Sequence, residues 1–215
     1  DIKELNPDVV SRSGFRYYQI YVDELSDWID VFGLKKKSEA EGTPPQIELR
    51  HGLSKLPYSV LIIPDGCGSF RGPFQEACFA SGLQCEPTPP YTPEHNKAER
   101  AILAIDMKAR TMLVDAPHLD FNNYYFDSTE CAAYLHNRTV GSRGKTPFEL
   151  VKNQQPTIRH LIPFGCFGYL HAAKSSNKRA QLPEGVRSEQ CVMLGYRSPF
   201  SNQWKVQIQD SSRIA

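Results

Sequence analysis

The sequence predicts an α/β fold in which helices cover a mixed sheet and a small β-rich unit follows. The order of elements carries this prediction: two strands, a strand that ends at Asp65, a helix, a proline-rich loop, and a long helix that carries Glu99. From His160 onward, short apolar segments alternate with polar loops instead. We therefore expect a first domain over residues 1–158 and a small β domain over residues 159–215.

The first predicted strands form a hairpin. Residues 15–23 and 28–34 are rich in aromatic and β-branched side chains and are joined at ELSD. Residues 58–64 are apolar on both faces, which favours a strand buried inside the sheet. Residues 83–85 predict another short strand. Residues 35–50 are polar and interrupted by prolines, which favours a loop or a shortened helix.

The helix after the proline-rich loop is the best-defined predicted element. Glu99 lies on its first turn, at the rim of the apolar face, so it can point into a cleft while the helix is anchored. Further helices are predicted over 71–81, 121–137 and 146–150. The apolar residues of the long helix recur at three- and four-residue steps: Ala98, Ala101, Ile102, Ile105, Ala109, Met112 and Leu113.

Charge is distributed unevenly along the 215 residues, although the net charge is only +1. Residues 1–50 hold seven Lys/Arg against ten Asp/Glu, a net of −3. Residues 141–179 hold seven Lys/Arg against one Glu, a net of +6. An acidic first part and a basic later part suit a metal site beside a phosphate-binding surface. A solvated, flexible basic loop is the alternative interpretation.

The composition, with 40% apolar residues, is that of a globular protein. No apolar run approaches the roughly 18 residues that a membrane span needs, and no secretory signal is visible. None of the six cysteines forms a CxxC pair, and they lie in apolar runs. This favours buried reduced thiols in an intracellular protein over disulfides. The chain begins abruptly at Asp1, which suggests a segment of a longer protein.

Three acids are the candidate catalytic residues. Asp1 opens the chain, Asp65 follows an apolar strand, and Glu99 begins a helix. Phosphoryl-transfer enzymes bring carboxylates from different elements together on hard cations in this way. Taken singly, Asp65 could be a turn residue and Glu99 a favourable charge at a helix start. Asp23 is the rival for the first acid, whereas Glu94 lies in the loop before the helix.

Several motifs occur in an order that resembles the integrase region of copia-type retrotransposons. The segments are RYYQIYVDELSDWIDVFGLKKKSE, PDGCGSF, YTPEHNKAER, KARTML, YLHNRT, KTPFELV and HLIPFGCFGYLH. Together they cover nearly the whole chain. The resemblance implies an RNase H-like core, with a mixed five-stranded sheet flanked by helices, and a C-terminal SH3-like barrel. It assigns Asp1, Asp65 and Glu99 to a D,D,E triad.

The resemblance also implies chemistry, partners and location. The triad would hold two Mg²⁺ or Mn²⁺ ions, with Asp1 bridging both. The activity would be processing of retroelement DNA ends and their joining to target DNA. Double-stranded DNA and further copies of the chain are the expected partners, in the nucleus or in a cytoplasmic virus-like particle, within a polyprotein and without a membrane. The candidate DNA contacts are Lys97, Arg100, Arg110, Arg143 and Lys145.

Two positions depart from the family pattern. Family members usually read Asn-Gly-Val-Ala-Glu-Arg where this chain reads Asn96-Lys97-Ala98-Glu99-Arg100, and Gly66 replaces an Asn. A lost residue beside a helix start can rotate the helix by about 100°. A degenerate or repurposed domain, which binds nucleic acid or protein without catalysis, is therefore the alternative to an active integrase.

Overall fold

The structure is a computed structural model, and it describes residues 1–5, 10–88, 97–171 and 188–208. Its first sheet is antiparallel and contains β1 (Ile2–Glu4), β2 (Tyr17–Val22) and β3 (Ile29–Leu34), with β2 in the centre. The β2–β3 ladder runs from the pair Tyr17–Leu34 to the pair Val22–Ile29. This ladder confirms the hairpin that the sequence predicts.

A second, parallel sheet joins β4 (Leu61–Ile62) to β5 (Gln84–Cys85). The prediction of a buried strand over 58–64 was wrong, because β4 is two residues long and Leu61 and Ile63 are 40% and 58% exposed. Only the alternate side chains, Val60 and Ile62, pack against an apolar cluster. Within the described residues no ladder joins β1 to β4, so these five strands form two sheets.

Two prolines begin a helix where the sequence favours a loop or a shortened helix. A 3₁₀ turn at Lys37–Gly42 leads into α1 (Thr43–His51), and Pro44 and Pro45 occupy its first turn. A proline there costs no hydrogen bond, because the first amide groups of a helix have no partner within it. Pro73 plays the same part in α2 (Pro73–Ala80).

The remaining helices are α3 (Lys97–Asp115), α4 (Phe121–His136) and α5 (Pro147–Lys152), close to their predicted bounds. Thr146 and Glu149 form a capping box at the start of α5. The apolar face of α3 packs on the first sheet, where Ile105 is fully buried with Tyr18 and Ile20. None of the described helices is long and apolar enough to cross a membrane.

A third, antiparallel sheet contains β6 (Phe167–His171), β7 (Ser188–Tyr196) and β8 (Trp204–Ile208) in that order. It packs on α4, and the rings of Tyr134 and Tyr196 stack at 3.8 Å. From β8, Lys205 Nζ lies 2.8 Å from the buried carboxylate of Asp127 and 2.8 Å from that of Glu130. The predicted barrel also involves residues 172–187 and 209–215, which lie outside the described residues.

A buried carboxylate ties β3 to the end of α1. Asp30, which is 1% exposed, accepts a hydrogen bond from Trp28 Nε1 at 2.8 Å and pairs with Arg50 and with His51 Nε2. Burial raises the pKa of Asp30, but the hydrogen bond and charge of His51 and the charge of Arg50 outweigh burial and lower it. The ring of Phe200, from the turn between β7 and β8, stacks on Trp28 at 5.1 Å.

Candidate metal centre and basic cavity

Asp1 lies beside the central strand of the first sheet. Its backbone exchanges hydrogen bonds with Ile20, at 3.1 Å through the amino group and 2.9 Å through the carbonyl. Residues that stand opposite each other in an antiparallel pair point to the same face of the sheet. Asp1 is opposite Ile20 and Lys3 is opposite Tyr18, so each pair shares a face. Both Ile20 and Tyr18 face α3. The Asp1 carboxylate also accepts a hydrogen bond from the amide of Ile2 at 2.8 Å.

Asp65 follows β4 and closes its own turn. Its Oδ1 accepts a hydrogen bond from the amide of Cys67 at 3.1 Å, the turn role that an Asp before Gly commonly takes. The Asp65 carboxylate is also a neighbour of Asp1. Burial lowers the pKa of the Asp1 amino group to about 6, and the negative charges of Asp65 and Cys67 oppose that shift. The structure therefore places the Asp65 carboxylate within electrostatic range of the Asp1 amino group.

Glu99 is the third residue of α3 and is exposed. Asp106 lies two turns further along the same stripe of the helix, because seven residues complete nearly two turns. The Asp106 carboxylate pairs with Lys3 and accepts a hydrogen bond from Tyr18 Oη at 2.8 Å. The stripe that carries Glu99 therefore faces β1 and β2. The rival acid Glu94 lies outside the described residues.

The ion pair between Lys3 and Asp106 fixes the position of β1 along the axis of α3. Tyr18 on β2 contacts Asp106, whereas Val22 lines a cavity with Ala101, so β2 runs toward the start of the helix. Asp1 lies about 7 Å from Lys3 in that direction, at 3.3 Å per strand residue. Glu99 lies about 10 Å from Asp106 in the same direction, at 1.5 Å per helical residue. Asp1 and Glu99 are thus displaced toward the same end of the sheet.

No group of three or more His, Cys, Asp or Glu side chains lies close enough to hold a metal ion within the described residues. Asp1, Asp65 and Glu99 therefore do not form a closed ligand set. The rival first acid, Asp23, caps the turn after β2, where its Oδ2 accepts hydrogen bonds from the amide of Ser26 at 2.7 Å and from its hydroxyl at 2.5 Å.

Lys97, a predicted DNA contact, forms ion pairs and a hydrogen bond within the protein. Its Nζ lies 2.6 Å from Asp27 Oδ1 and donates to the Glu24 carbonyl at 2.8 Å. The Glu24 carboxylate lies 3.5 Å away. The hydrogen bond from Lys97 is the largest cause of the lowered pKa of Asp27. Sequence reasoning missed this ion pair because its partners are some 70 residues apart along the chain.

A basic cavity of about 450 Å³ lies between the first half of α3, the end of α4 and the turn after β2. Its lining includes the charged residues Lys97, Arg100, Lys108 and Asp27, and the polar residues His136, Thr139 and Ser142. Lys108 and His136 were not predicted as site residues. The spacing of Lys108 could have indicated its position. It lies eleven residues after Lys97, which is about three helical turns, so both lysines lie on the same side of α3.

Neutral His136 bridges two sides of this cavity. Its Nε2 donates a hydrogen bond to the Asp27 carbonyl at 3.0 Å, so Nδ1 is free to accept one from Lys108 Nζ at 3.4 Å. Burial lowers the pKa of His136, and the hydrogen bond to Asp27 opposes that shift. Burial also lowers the pKa of Lys108. The cavity therefore combines several cations and one paired carboxylate with an apolar lining that includes Val22 and Ile29.

The other predicted DNA contacts are exposed. Arg143 lies close enough to Asp27 to contribute to its lowered pKa, which places Arg143 beside the basic cavity. Lys145 lies in the turn before α5, where its carbonyl accepts a hydrogen bond from Gly141 at 3.0 Å. Arg110 lies apart from both, on the stripe of Glu99 and 5.9 Å from the ring of Tyr125.

The sequence is similar to three plant proteins. It is 28% identical over 197 residues to the retrovirus-related Pol polyprotein from transposon TNT 1-94 of Nicotiana tabacum, covering 88% of this chain. It is 27% and 28% identical over 194 residues to the Pol polyproteins from transposons RE2 and RE1 of Arabidopsis thaliana, covering 87% of this chain in each case. The chain spans only 13–14% of the length of these relatives. No protein-family model matches it.

The structure resembles a chain of the simian T-cell lymphotropic virus intasome in complex with PP2A regulatory subunit B56 gamma. The likeness has a TM-score of 0.54 at 17% identity and covers 99% of this chain and 78% of that chain. At this identity, the likeness shows a shared fold, which combines helices and sheets as expected. The chain is a homologue of the retrovirus-related Pol polyproteins of plant copia-type transposons.

Proposed function

We propose that this chain is the catalytic region of a retrotransposon integrase, a metal-dependent polynucleotidyl transferase that processes retroelement DNA ends and joins them to target DNA. The observation that carries the proposal is the alignment of β1 with α3 by the pair of Lys3 and Asp106. This alignment supports a meeting of Asp1 and Glu99 at one end of the sheet, and the charge of Asp65 acts on the Asp1 amino group. The similarity to Pol polyproteins supports the same assignment.

The proposed ligands suit the proposed ions. Carboxylates are the hard oxygen ligands that Mg²⁺ and Mn²⁺ prefer. Asp1, Asp65 and Glu99 would be the residues that hold the ions. The chemistry that bound ions would supply is activation of a water or a 3′-hydroxyl and stabilisation of the leaving oxygen at phosphorus. The described carboxylates do not form a closed ligand set.

DNA would lie along the basic side of the same region. Arg100, Arg143, Lys145 and the newly identified Lys108 surround or adjoin the basic cavity and would bind phosphates. Arg110 would serve a separate phosphate further along α3. This proposal requires DNA binding that weakens steeply with salt, because bound phosphates release their counterions. A flat salt response would contradict it.

The finer architecture follows the same proposal. We propose that β1 and β4 come side by side in one five-stranded sheet, since Ile2 and Ile62 already pack on the same apolar cluster. The integrase core would extend over 1–158 and an SH3-like unit over 159–215. The active form would be an oligomer, released from a polyprotein that works in the nucleus or in a cytoplasmic virus-like particle.

A second candidate is a domain that binds DNA or protein without catalysis. The open arrangement of the three acids favours it. The two candidates differ in one measurement, which is the joining of labelled duplexes that end in the flanking terminal-repeat sequence to plasmid DNA in Mg²⁺ or Mn²⁺. Joining by the wild type supports the integrase, whereas salt-dependent DNA binding without joining supports the second candidate.

Substitutions then test the ligands. We expect Asp65→Asn and Asp1→Asn each to abolish joining and to leave the circular dichroism spectrum unchanged, because each removes one negative ligand. Asp23→Asn is the matched control, since Asp23 caps a turn, and it should retain joining. Activity that survives Asp65→Asn would refute the assigned role, and activity lost only in Asp23→Asn would identify Asp23 as the first ligand.

A further inference from the structure

The basic cavity has an apolar floor that the proposed phosphate contacts leave unused. Val22 and Ile29 come from the first sheet, Ala101 comes from α3, and Val140 and Pro147 come from the segment after α4. Ile29 and Pro147 are buried, whereas Val140 is 63% exposed. A phosphate group is bound by cations and polar groups and gains no contact energy from apolar side chains. The floor therefore suits a ligand that has an apolar part of its own.

The cavity is already formed without a ligand. Asn137 binds the backbone of Ile29 twice, since its Oδ1 accepts from the Ile29 amide at 2.9 Å and its Nδ2 donates to the Ile29 carbonyl at 2.8 Å. His136 binds the Asp27 carbonyl, and Lys97 pairs with the Asp27 carboxylate. These contacts fix the end of α4 and the start of α3 to the turn between β2 and β3. A preformed cavity loses less conformational entropy when a ligand binds.

Two cations that line the cavity can receive an anionic group. Asp27 and Lys97 compensate each other through their ion pair at 2.6 Å. Among the described residues, Arg100 and Lys108 take part in none of the salt bridges. The Lys108 ammonium has three N–H groups and directs one toward His136, so the others can bind an anion. Arg100 and Lys108 lie about 12 Å apart along α3, because eight residues separate them.

We propose that this cavity binds a small ligand in which an apolar body carries a carboxylate. Its volume of about 450 Å³ lies within the range of about 300–1,000 Å³ that small-molecule sites occupy. The body would lie on Val22, Ile29 and Val140. The carboxylate would pair with Arg100 or Lys108. A singly charged carboxylate loses less hydration beside an apolar floor than a doubly charged phosphate does. The proposal goes beyond integrase activity and does not depend on it.

Three probes separate the two parts of the ligand. Naphthoate has the apolar body and the carboxylate, naphthalenemethanol has the body alone, and inorganic phosphate has the charge alone. Each probe is titrated into the full chain at neutral pH and followed by nuclear magnetic resonance. The amide chemical shifts of Val22, Ala101 and Val140 report binding in the cavity. The amide of Tyr58, which lines a different depression, reports binding elsewhere.

We expect naphthoate to bind about fivefold more tightly than naphthalenemethanol, which is the effect of one solvent-exposed ion pair. In the double variant Arg100→Met and Lys108→Met, the two probes should bind equally, because both side chains lose their charge and keep a similar length. Val140→Ser should weaken both probes about threefold, since it removes part of the apolar wall. Lys36→Met is the matched control, because Lys36 is exposed and lies outside the cavity, and it should bind like the wild type. Thermal unfolding checks that each variant is folded.

Three results would overturn the inference. Phosphate that shifts the same amides with the affinity of naphthoate would make the cavity a site for anions alone. Equal affinity of the wild type for naphthoate and naphthalenemethanol would remove the role of the cations. Naphthoate that leaves the cavity amides unshifted would show that the cavity is not a site. These measurements use no metal ion and no DNA, so their failure leaves the proposed function standing, and a failure to join DNA leaves them unaffected.

Discussion

Removing Lys205 from β8 should destabilise the whole protein. Its ammonium lies 2.8 Å from the carboxylate of Asp127, which is 1% exposed, and 2.8 Å from that of Glu130, which is 38% exposed. The two carboxylates raise the pKa of Lys205 against the opposing effect of burial, which is the larger single contribution. In Lys205→Met, the buried Asp127 charge loses its counter-ion.

The magnitude follows from the burial of the partners. Removing one member of a buried ion pair costs about 3–5 kcal/mol, and Lys205, one-fifth exposed, belongs at the lower end. The half-exposed Glu130 adds little. We expect Lys205→Met to lower the free energy of unfolding by about 3 kcal/mol. For a chain of this size, that loss corresponds to a fall in Tm of roughly 6–12 °C.

Urea unfolding followed by tryptophan fluorescence measures this loss in two places. The chain has two tryptophans, with Trp28 in the first sheet region and Trp204 on β8. Lys36→Met is the matched control, because Lys36 is exposed and its removal should change stability by less than about 0.5 kcal/mol. Adding Asp127→Asn to Lys205→Met should recover part of the loss. A loss below 1 kcal/mol, or no recovery, would refute the reasoning.

Two further outcomes test the fold. The pKa of Asp30 is lowered in the folded protein, so the stabilisation from the Asp30 carboxylate is present above the ordinary Asp pKa and is lost as pH falls through the folded value. Asp30→Asn should therefore reduce the free energy of unfolding at pH 7 and make it depend less on acid pH. An unchanged acid profile of stability would contradict this. Gly165→Ala should cost more than about 2 kcal/mol by thermal unfolding, since a Cβ there would lie 2.5 Å from Ala116 Cβ at φ 78°. Gly144→Ala, with φ 72° and open space, should cost only about 1 kcal/mol of backbone strain, and equal losses would exclude the packing argument.

Local patterns predicted most of the secondary structure. The hairpin of β2 and β3, the long α3 and the capped α5 follow from alternation, helical spacing and a capping box, all of which are readable over a few residues. The prolines of α1 left a loop and a shortened helix as alternatives, because the same residue that breaks a helix interior begins a helix well; the structure has the shortened helix. The short and half-exposed β4 could not be predicted, since burial of Leu61 depends on elements distant in sequence.

The candidate site was predictable in its residue types and less so in its contacts. The positions of Asp65 after a strand and Glu99 at a helix start follow from the chain itself. Whether Asp65 lies near Asp1 depends on how the first and second sheets pack against each other, which the sequence does not show. Lys97 looked like a surface cation on α3, because its acidic partners belong to a turn far away in sequence. The sequence therefore shows that Lys97 is positively charged, but it does not show which acids pair with it.

The ring of Phe200 on Trp28 limits how freely the C-terminal strands can be exchanged between related proteins. That contact joins the tip of the β7–β8 hairpin to the buried network of Asp30. A chimera that grafts these strands onto another core would leave Phe200 without the Trp28 ring on which it stacks, unless the recipient core also has a tryptophan at the corresponding position. We therefore expect the first sheet region and the C-terminal strands to be inherited together, even though their different sequence patterns suggest two separate domains.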